Sequence, residues 1–501
     1  MEDRRSVALV AAVVGAASLG AEIAAARLLA PWFGASTIVW ANTIATVLVA
    51  LSGGYWLGGR LADRDPTFAG LCRLVLVAAA LMAAVPFVAS PFLRVSVDAL
   101  DHIQAGAFVG SLVAVLVLIA APVLVLGCVA PYAVRLSVGA LDEAGRVAGR
   151  LYAISTLGSL AGVFLSALVL IPFAGTRRTF LVFALALGLV GALGVKRRAP
   201  ALAAGLPALI AILLALPPGT VKATVDGRVI WEAETDYQYA RVIQSPDGER
   251  RLELNEGQAV HSIYRPGEWL TGNYWDEPLV LPFAARPGAP PRSIAILGSA
   301  AGTVARAYGH YFPATRIDAV EIDPKLTDVG RRLFDLHAPN LHTHAADARP
   351  WLRSTKRRFD VIYVDAYRQP YIPFYLATRE FFELAKQRLN PGGSVMVNVG
   401  HPEDSDRLEQ VLSATMGAVF GHVARDPSED VNTQLIASDA DVTAGNLGAA
   451  RVPAPLRDLQ DATARRLAPA LGGGRVYTDD VAPVEWLIDA SIVKVAADGD
   501  R

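Results

Sequence analysis

Three segments between residues 292 and 365 decide the fold: SIAILGSAAG (293–302), IDAVEIDP (317–324) and FDVIYVD (359–365). Each begins with a short apolar run, and each run ends in glycine or in an acidic residue. Apolar runs of this length that alternate with helical stretches are typical of a parallel, doubly wound sheet. Ligands bind such sheets beyond the carboxyl ends of the strands. Residues 298–302, Glu321, Asp347 and Asp365 all fall at those ends.

The residue types at these ends predict a nucleoside site. The small residues Gly298, Ala300 and Gly302 let the backbone approach a ligand and turn into a helix that we expect from Thr303. An acidic residue about 20 positions further on accepts hydrogen bonds from ribose hydroxyls, and Glu321 is placed for this role. Asp347, followed by Ala348, closes the next strand and is placed for an adenine amino group. The alternative interpretation is that these acids only cap helices.

Charge is divided unevenly along the chain. Of the 46 basic and 47 acidic residues, the first 217 positions hold 15 and 9, a net charge of +6, and the remaining positions have a net charge of −7. The acidic second half favours cationic ligands and argues against nucleic acid as a partner. Both cysteines, Cys72 and Cys128, lie in apolar segments of the first half. We therefore predict no disulfide and no metal site in the second half; His342 and His344 have no third ligand at a suitable spacing.

The first 217 residues are predicted to be a helical membrane domain. A bilayer requires about 20 apolar residues per helix. The apolar stretches lie at 7–30, 37–59, 70–93, 106–130, 151–172, 178–195 and 201–217. They indicate about seven spans, and the short sixth and seventh stretches leave open a re-entrant pair. Glu22 and Arg27 on the first span are interpreted as a packing hydrogen bond and an interfacial side chain, the alternative being a cation path.

The predicted orientation contains a conflict. With the N-terminus inside, ten basic residues lie on the cytoplasmic side and three on the other side, as the positive-inside rule prefers. Seven spans would then place the second half outside the cytoplasm, away from the nucleosides predicted as its ligands. We predict a multi-pass protein of the cell membrane with a cytoplasmic second half, because the span count is the weakest premise.

The second half is predicted to hold two domains. Residues 218–286 read as a small β-hairpin domain, with turns at 246–248 and 255–257, and residues 284–291 read as a linker. Residues 287–501 read as an α/β, Rossmann-like sheet of the class I methyltransferase type. A helix is expected from Thr378, a stop at 390–393, and further strands at 394–399 and 433–437.

The second half resembles the spermidine synthases, the polyamine aminopropyltransferases, and the whole chain resembles their membrane-fused branch. The resemblance is carried by DYQ (236–238), the turn at Gly298, EIDP (321–324), Asp347 and FDVIYVD (359–365). It continues through FF (381–382), LNPGG (389–393) and TDDVAPVE (478–485).

The resemblance implies roles for individual residues. Asp365 matches the proton acceptor for the attacking amine, Glu321 the ribose ligand and Asp347 the adenosine contact. Gln238 or Gln258 matches a glutamine near the nucleoside, and Pro373 matches the proline that lines the adenine pocket, with one residue inserted.

Two acids that hold the polyamine in this family are absent. Ala300 stands in place of one, and Arg368 in place of the other. The family's Tyr-His-Glu segment reads Tyr274-Trp275-Asp276. We expect Asp276, Asp480 or Glu485 to compensate, and Arg368 to contact the substrate.

We therefore predict a membrane-bound aminopropyltransferase. The resemblance implies decarboxylated S-adenosylmethionine as co-substrate, no permanently bound cofactor and an amine such as putrescine as acceptor. The expected partners are the lipid bilayer and these small molecules, and a homodimer is left open. Two alternatives remain: a methyltransferase that uses S-adenosylmethionine, to which Arg368 could offer a cation, and a non-catalytic transporter or sensor that binds polyamine or nucleoside.

Overall fold

The computed structural model describes residues 2–33, 37–103, 106–217, 221–222, 224, 227–255, 259–367, 372–401, 405–485 and 487. The chain divides into two compact units, Met1–Ala223 and Thr224–Arg501. The finer division at 217 and 286 stays a prediction.

The first unit is built from helices alone within its described residues. They are α1 (Glu2–Phe33), α2 (Thr37–Arg64), α3 (Phe68–Ile103), α4 (Gly106–Leu118), α5 (Ala120–Gly127), α6 (Val129–Ser137), α7 (Ala144–Leu165), α8 (Ile171–Ala174), α9 (Thr176–Val195) and α10 (Pro200–Ala215). A π-helical turn, Ser166–Leu170, joins α7 to α8.

Small residues allow these helices to pack closely. A Cβ atom added at Gly158 or Gly162 of α7 would collide with the backbone of Ala12 or Ala16 on α1. A Cβ atom added at Gly54 or Gly58 of α2 would likewise collide with the backbone of residues 124–128. Gly54 and Gly58, near the end of the second apolar stretch, therefore mark close helix packing.

Six helical stretches among the described residues are long and apolar enough to cross a bilayer. They are Arg4–Phe33, Val39–Arg64, Phe68–Val95, Ala120–Ser137, Leu141–Ala174 and Thr176–Val195. The predicted count of about seven is therefore one too high by this criterion. The difference arises at the seventh stretch, because α10 has 16 residues and a proline at position 207. At about 1.5 Å per residue it is shorter than the hydrocarbon core of about 30 Å.

The second unit begins with a four-stranded antiparallel sheet. Its strands are β1 (Arg228–Glu234), β2 (Tyr239–Gln244), β3 (Arg250–Leu254) and β4 (Val260–Tyr264), paired in that order. The predicted turn at 246–248 joins β2 to β3, and Gly248 has φ +91° there. The second predicted turn extends beyond the described residues, because 256–258 lie outside them.

An eight-stranded mixed sheet with helices on both faces follows. Its strands are β5 (Ser293–Leu297), β6 (Arg316–Glu321), β7 (Leu341–Ala345), β8 (Phe359–Val364), β9 (Leu389–Gly400), β10 (His422–Glu429), β11 (Asn432–Ser438) and β12 (Ala468–Pro469). The helices are α11 (Thr303–Tyr311), α12 (Pro324–Leu333), α13 (Ala348–Ser354), α14 (Arg379–Gln387), α15 (Arg407–Gly417), α16 (Ala444–Ala449) and α17 (Arg457–Arg466).

The strand order, β12-β10-β11-β9-β8-β5-β6-β7, explains the apolar runs. Five neighbouring strands, from β9 to β7, are parallel, whereas β11, β10 and β12 add an antiparallel edge. Along β5, Ala295 and Leu297 enter one hydrophobic core and Ile294 and Ile296 enter the other. Because both faces are covered, the strand has no polar face. The predicted Rossmann-like fold is confirmed.

One strand differs from the prediction. The helix expected from Thr378 ends at Gln387, before its predicted stop at 390–393. The strand expected at 394–399 begins earlier, at Leu389, so β9 includes residues 390–393. Its pairing with β8 shifts register between Phe359–Leu389 and Val361–Ser394. Gly392 adopts φ +71° within this irregular segment. The sequence Asn-Pro-Gly-Gly therefore forms a bulge in a long strand, since a local break in pairing absorbs residues that cannot join the ladder.

Candidate active site

The loop between β5 and α11 is shaped by two glycines and one alanine. Gly298 (φ +88°) lies against the next parallel strand, where an added Cβ would strike the carbonyl oxygen of Asp365. Gly302 (φ +93°) precedes α11, and an added Cβ would strike the side chain of Leu336. Ala300 also adopts a left-handed conformation, with φ +46°. Such a conformation costs a residue with a side chain of the order of 1–3 kcal/mol, so the surroundings of Ala300 must hold it in place.

Glu321, at the end of β6, holds this loop. Its Oε2 accepts a 2.8 Å hydrogen bond from the backbone N–H of Ala300, and its Oε1 accepts a 3.0 Å bond from that of Asp323. Burial raises the pKa of Glu321 to about 7; the two backbone N–H groups act in the opposite direction, and the nearby charge of Asp323 raises it further. Each carboxylate oxygen keeps capacity to accept a further hydrogen bond, although Glu321 is buried and is not among the described residues that line the pocket discussed below.

Asp347 follows β7 and begins α13. Its Oδ1 accepts from the backbone N–H of Arg349 at 3.1 Å, as a helix cap, and its Oδ2 accepts from the hydroxyl of Tyr375 at 2.8 Å. Ala348 is buried in the first turn of that helix. Pro373 begins the short turn that contains Tyr375, so the two predicted adenine contacts are joined through this tyrosine.

Asp365 directly follows β8 and is held by two side chains. The amide Nδ2 of Asn398 donates to Oδ1 at 2.9 Å, and the hydroxyl of Tyr363 donates to Oδ2 at 3.3 Å. Burial raises the pKa of Asp365 to about 6, although both hydrogen bonds lower it. The carboxyl group is therefore mostly ionised at neutral pH, and its pKa lies closer to neutrality than that of an ordinary aspartate.

A pocket of about 430 Å³ opens over Gly298, Ala300 and Asp365. Its apolar walls include Val260, Ile263, Trp275, Ile296 and Val431. Asn273, Tyr274, Tyr367, Asn398, His261 and His401 contribute polar atoms. The pocket combines apolar walls with the carboxylate of Asp365, which suits a ligand that has a methylene chain and a basic nitrogen.

Strand β4 fixes the loop from the other side of the pocket. The Ser262 hydroxyl accepts a 3.0 Å hydrogen bond from the backbone N–H of Ala301. The Thr303 hydroxyl accepts from the N–H of Ile263 at 2.9 Å and donates to its carbonyl at 3.2 Å. The small antiparallel sheet is therefore part of the framework of the site.

A second carboxylate reaches the pocket from the antiparallel edge. Glu429 ends β10 at the tip of the β10–β11 hairpin and lines the pocket together with Asp365. Its Oε1 accepts a 2.7 Å hydrogen bond from the backbone N–H of Tyr274. No lysine or arginine occurs among the described residues that line the pocket, so the described wall carries net negative charge.

Several predicted residues lie elsewhere in the described part of the chain. Asp276 is buried, and its carboxylate accepts from the backbone N–H groups of Thr271 and Gly272 and from the Thr271 hydroxyl. Burial raises the pKa of Asp276, against these hydrogen bonds. Asp480 is exposed in the turn 478–481, and Glu485 follows that turn. None of these three acids is among the described pocket-lining residues.

Gln238 also lies outside the described lining of that pocket. It is buried at the turn before β2, where its backbone pairs with Thr235. The alternative Gln258, like Arg368, falls outside the residues that the structure describes.

Reasoning from sequence missed Asn398, Tyr274 and Glu429 as pocket residues. Asn398 had a usable signal, because it closes a predicted strand on the same edge of the sheet as Asp365. Tyr274 stood in a segment that was noticed only for its departure from the family pattern. Glu429 had no local signal, since only the pairing of β10 with β11 and of β11 with β9 brings it to the site.

Residues 281–426 match the family described as the spermine/spermidine synthase domain. The chain is 34% identical over 224 residues to a probable polyamine aminopropyl transferase of Bifidobacterium longum, which covers 44% of this chain and 49% of the relative. It is 33% identical over 135 residues to a polyamine aminopropyltransferase of Vibrio vulnificus, covering 26% and 44% of the two chains. The chain thus spans about half the length, or less, of these curated relatives.

Among solved structures, a probable spermidine synthase from Corynebacterium glutamicum is similar, with a TM-score of 0.38 and 23% identity. The similarity covers 50% of this chain and 98% of that one. The resemblance to spermidine synthases that the sequence indicated is confirmed by the family match and the curated relatives.

Proposed function

We propose that this chain, whose residues 281–426 carry a spermine/spermidine synthase domain, transfers an aminopropyl group from decarboxylated S-adenosylmethionine to an amine. The observation that carries the proposal is the setting of Asp365. Its carboxylate has a raised pKa of about 6 owing to burial, is fixed by Asn398 and Tyr363, and faces the pocket beside the glycine loop. The names of the curated relatives, polyamine aminopropyltransferases, support the same reaction.

The reaction requires a free lone pair on the acceptor nitrogen. An amine that arrives as an ammonium ion gives one proton to Asp365 and becomes nucleophilic. The lone pair then forms a bond to the methylene carbon next to the sulfonium, while the carbon–sulfur pair passes to sulfur. The new nitrogen is again a cation, and the leaving group is neutral methylthioadenosine. Because this leaving group is stable, the enzyme supplies position and a proton acceptor and no general acid.

The donor's adenosine is assigned to the neighbouring strand ends. Glu321 would accept from the two ribose hydroxyls and Asp347 from the adenine amino group, with Ala348 and Pro373 close to the base. The glycine loop would let the backbone approach the sulfonium side, and Gln238 would lie near the nucleoside. The contacts of Glu321 with Ala300 support this arrangement, because one side chain then shapes the loop and binds the ribose.

A methyltransferase reaction is the second candidate, since S-adenosylmethionine would use the same ribose contact. The carboxylate of S-adenosylmethionine would require a cationic partner near the sulfonium. The described residues that line the pocket include no lysine or arginine but do include Asp365 and Glu429. This charge distribution favours the decarboxylated donor, which carries an amine and no carboxylate.

The membrane half is proposed to be an anchor, with the catalytic half in the cytoplasm. Six helices, with the N-terminus on the cytoplasmic side, return the chain to that side, where the donor is made. Helix α10, too short to count as a span, would then be a re-entrant or interfacial element. A cavity of about 220 Å³ between α1, α2, α5, α6 and α7 is lined by small, apolar and hydroxyl residues and by no described acidic residue. A polyamine conduit would need such acids.

The products test the proposal. Purified full-length protein is incubated with 1,4-diaminobutane and either decarboxylated or intact S-adenosylmethionine, and the nucleoside products are separated. We expect methylthioadenosine from the decarboxylated donor. Adenosylhomocysteine from the intact donor would support the methyltransferase instead, and no product from either would favour a binding protein.

A further inference from the structure

The pocket contains two carboxylates on separate elements, and only one of them has a place in the reaction. Asp365 follows β8 in the parallel part of the sheet, and Glu429 ends β10 at its antiparallel edge. Both line the same pocket of about 430 Å³. The reaction proposed above uses Asp365 alone and assigns no role to Glu429.

Glu429 is held in a fixed position. Besides the 2.7 Å bond from the backbone N–H of Tyr274, its Oε2 accepts a 3.3 Å hydrogen bond from the side-chain amide of Asn432. Asn432 pairs with Glu429 across the hairpin and with Gly400 at the end of β9. Each carboxylate oxygen therefore has one protein donor and keeps capacity for another.

A single tyrosine lies near both carboxylates. The side chain of Tyr274 lies within electrostatic reach of both Asp365 and Glu429, and both charges contribute to its raised pKa, behind the larger effect of burial. The ring of Trp275 packs at 4.4 Å from that of Tyr274. The pocket that holds both carboxylates thus also offers aromatic surface, against which a short chain of methylene groups could pack.

We infer that Glu429 binds the distal ammonium group of a diamine acceptor whose other nitrogen is presented to Asp365. The inference rests on the proposed function and deepens it, because it makes Glu429 the residue that selects a diamine over a monoamine. Glu429 also supplies a second negative charge in the pocket, where Ala300 on the glycine loop is uncharged. The carboxylate of Asp276 accepts hydrogen bonds from residues 271 and 272 instead. The apolar side chains that line the same pocket suit the methylene chain of such an acceptor.

The variant Glu429→Gln removes the charge and keeps the shape. The side-chain oxygen of glutamine can still accept from the N–H of Tyr274, so the hairpin should keep its position. The matched control is Glu383→Gln, which makes the same change at an exposed residue of α14 whose carboxylate lies 3.6 Å from Arg379. Both variants should bind methylthioadenosine as the unmodified protein does, which verifies that the fold is intact.

The test measures binding without turnover. Full-length protein in detergent, saturated with methylthioadenosine, is titrated calorimetrically with 1,4-diaminobutane and with 1-aminobutane. We expect the unmodified protein and Glu383→Gln to prefer the diamine at least tenfold. Glu429→Gln should lose about 10- to 100-fold in diamine affinity, the value of a charge-assisted hydrogen bond, with monoamine affinity changed less than about threefold. Glu429→Asp, which keeps the charge, should recover part of the preference.

The opposite results are equally clear. A preference for the diamine that survives in Glu429→Gln, or no preference in the unmodified protein, would overturn the role of Glu429. The proposed function is judged separately, from methylthioadenosine formation. If the product forms while the preference survives the substitution, the reaction stands and the selection by Glu429 fails. If no product forms but the substitution abolishes diamine binding, the amine site stands and the reaction fails.

Discussion

The side-chain amide of Asn398 donates a 2.9 Å hydrogen bond to the Oδ1 atom of Asp365, at the carboxyl ends of the neighbouring parallel strands β9 and β8. The other side of the Asn398 amide is fixed in turn, because its Oδ1 accepts a 2.9 Å bond from the Nε2 of Gln434 on β11. This series of hydrogen bonds orients the carboxylate of Asp365 and influences its pKa. Burial raises the pKa of Asp365 to about 6, and the bond from Asn398 limits that rise.

The pH dependence of turnover should reveal the pKa of Asp365. Because only the ionised carboxyl can accept a proton, kcat/KM for the amine, measured with saturating donor, should fall about tenfold for each pH unit below about 6. In Asn398→Ala the ionised form loses a donor, so the pKa of Asp365 rises and the fall should begin about one unit higher. An unchanged midpoint in the variant would show that the observed ionisation belongs to another group.

Replacing Asp365, the proposed base, should slow the chemical step and leave binding nearly unchanged. Asp365→Asn keeps the shape and can still accept from Asn398, but it cannot take a proton. Turnover should fall roughly 10²- to 10⁴-fold, with methylthioadenosine affinity changed little. Near-normal turnover in this variant, with Glu383→Gln as the control for charge removal, would make Asp365 a structural residue.

The ribose contact should be visible in nucleoside binding. Glu321→Ala removes the acceptor for two ribose hydroxyls, and methylthioadenosine should bind at least tenfold more weakly by calorimetry. Thermal stability should also decrease, because the N–H groups of Ala300 and Asp323 lose their partner.

The pKa of Glu321 gives this prediction a second readout. Burial raises that pKa to about 7, and the ionised form is the better acceptor. Affinity in the unmodified protein should therefore weaken as the pH falls through about 7, and Glu321→Ala should lack this dependence. Unchanged affinity in the variant would remove Glu321 from the ribose site.

The parallel strands were predictable because their signals are local. Each of β5, β6 and β8 is a short apolar run that ends at or just before a candidate site residue, so the sequence alone placed Gly298, Glu321 and Asp365 at one edge of the sheet. The turn at 246–248 was predictable for the same reason, because its proline, aspartate and glycine determine the backbone conformation there.

The rest of the site depends on pairings that no local pattern reveals. Glu429 reaches the pocket only because β10 pairs with β11 and β11 with β9. Asp276 looked available as an acid beside aromatic residues, but the loop at 271–272 turns its N–H groups toward it. Residues 390–393 were read only as the stop of the preceding helix, which ends at Gln387. Their place in β9 was missed, because proline and glycine break a regular strand but not a bulged one.

The side of the membrane can be tested with one cysteine. After replacement of Cys72 and Cys128 by alanine, Asp461→Cys places a thiol on the exposed surface of α17. Six spans with a cytoplasmic N-terminus predict that a membrane-impermeant maleimide labels this thiol only after the cells are opened. Labelling of intact cells would place the catalytic half outside, require α10 to cross the bilayer and make a different donor the leading hypothesis.

The transfer itself is the most direct test of the central claim. Full-length protein and Asp365→Asn are each incubated with decarboxylated S-adenosylmethionine and 1,4-diaminobutane, and both products are identified by mass spectrometry. The account predicts methylthioadenosine and the aminopropylated diamine in equal amounts from the unmodified protein, and a roughly 10²- to 10⁴-fold slower reaction with the variant. Methylthioadenosine without an alkylated amine, or equal rates from the two proteins, would contradict it.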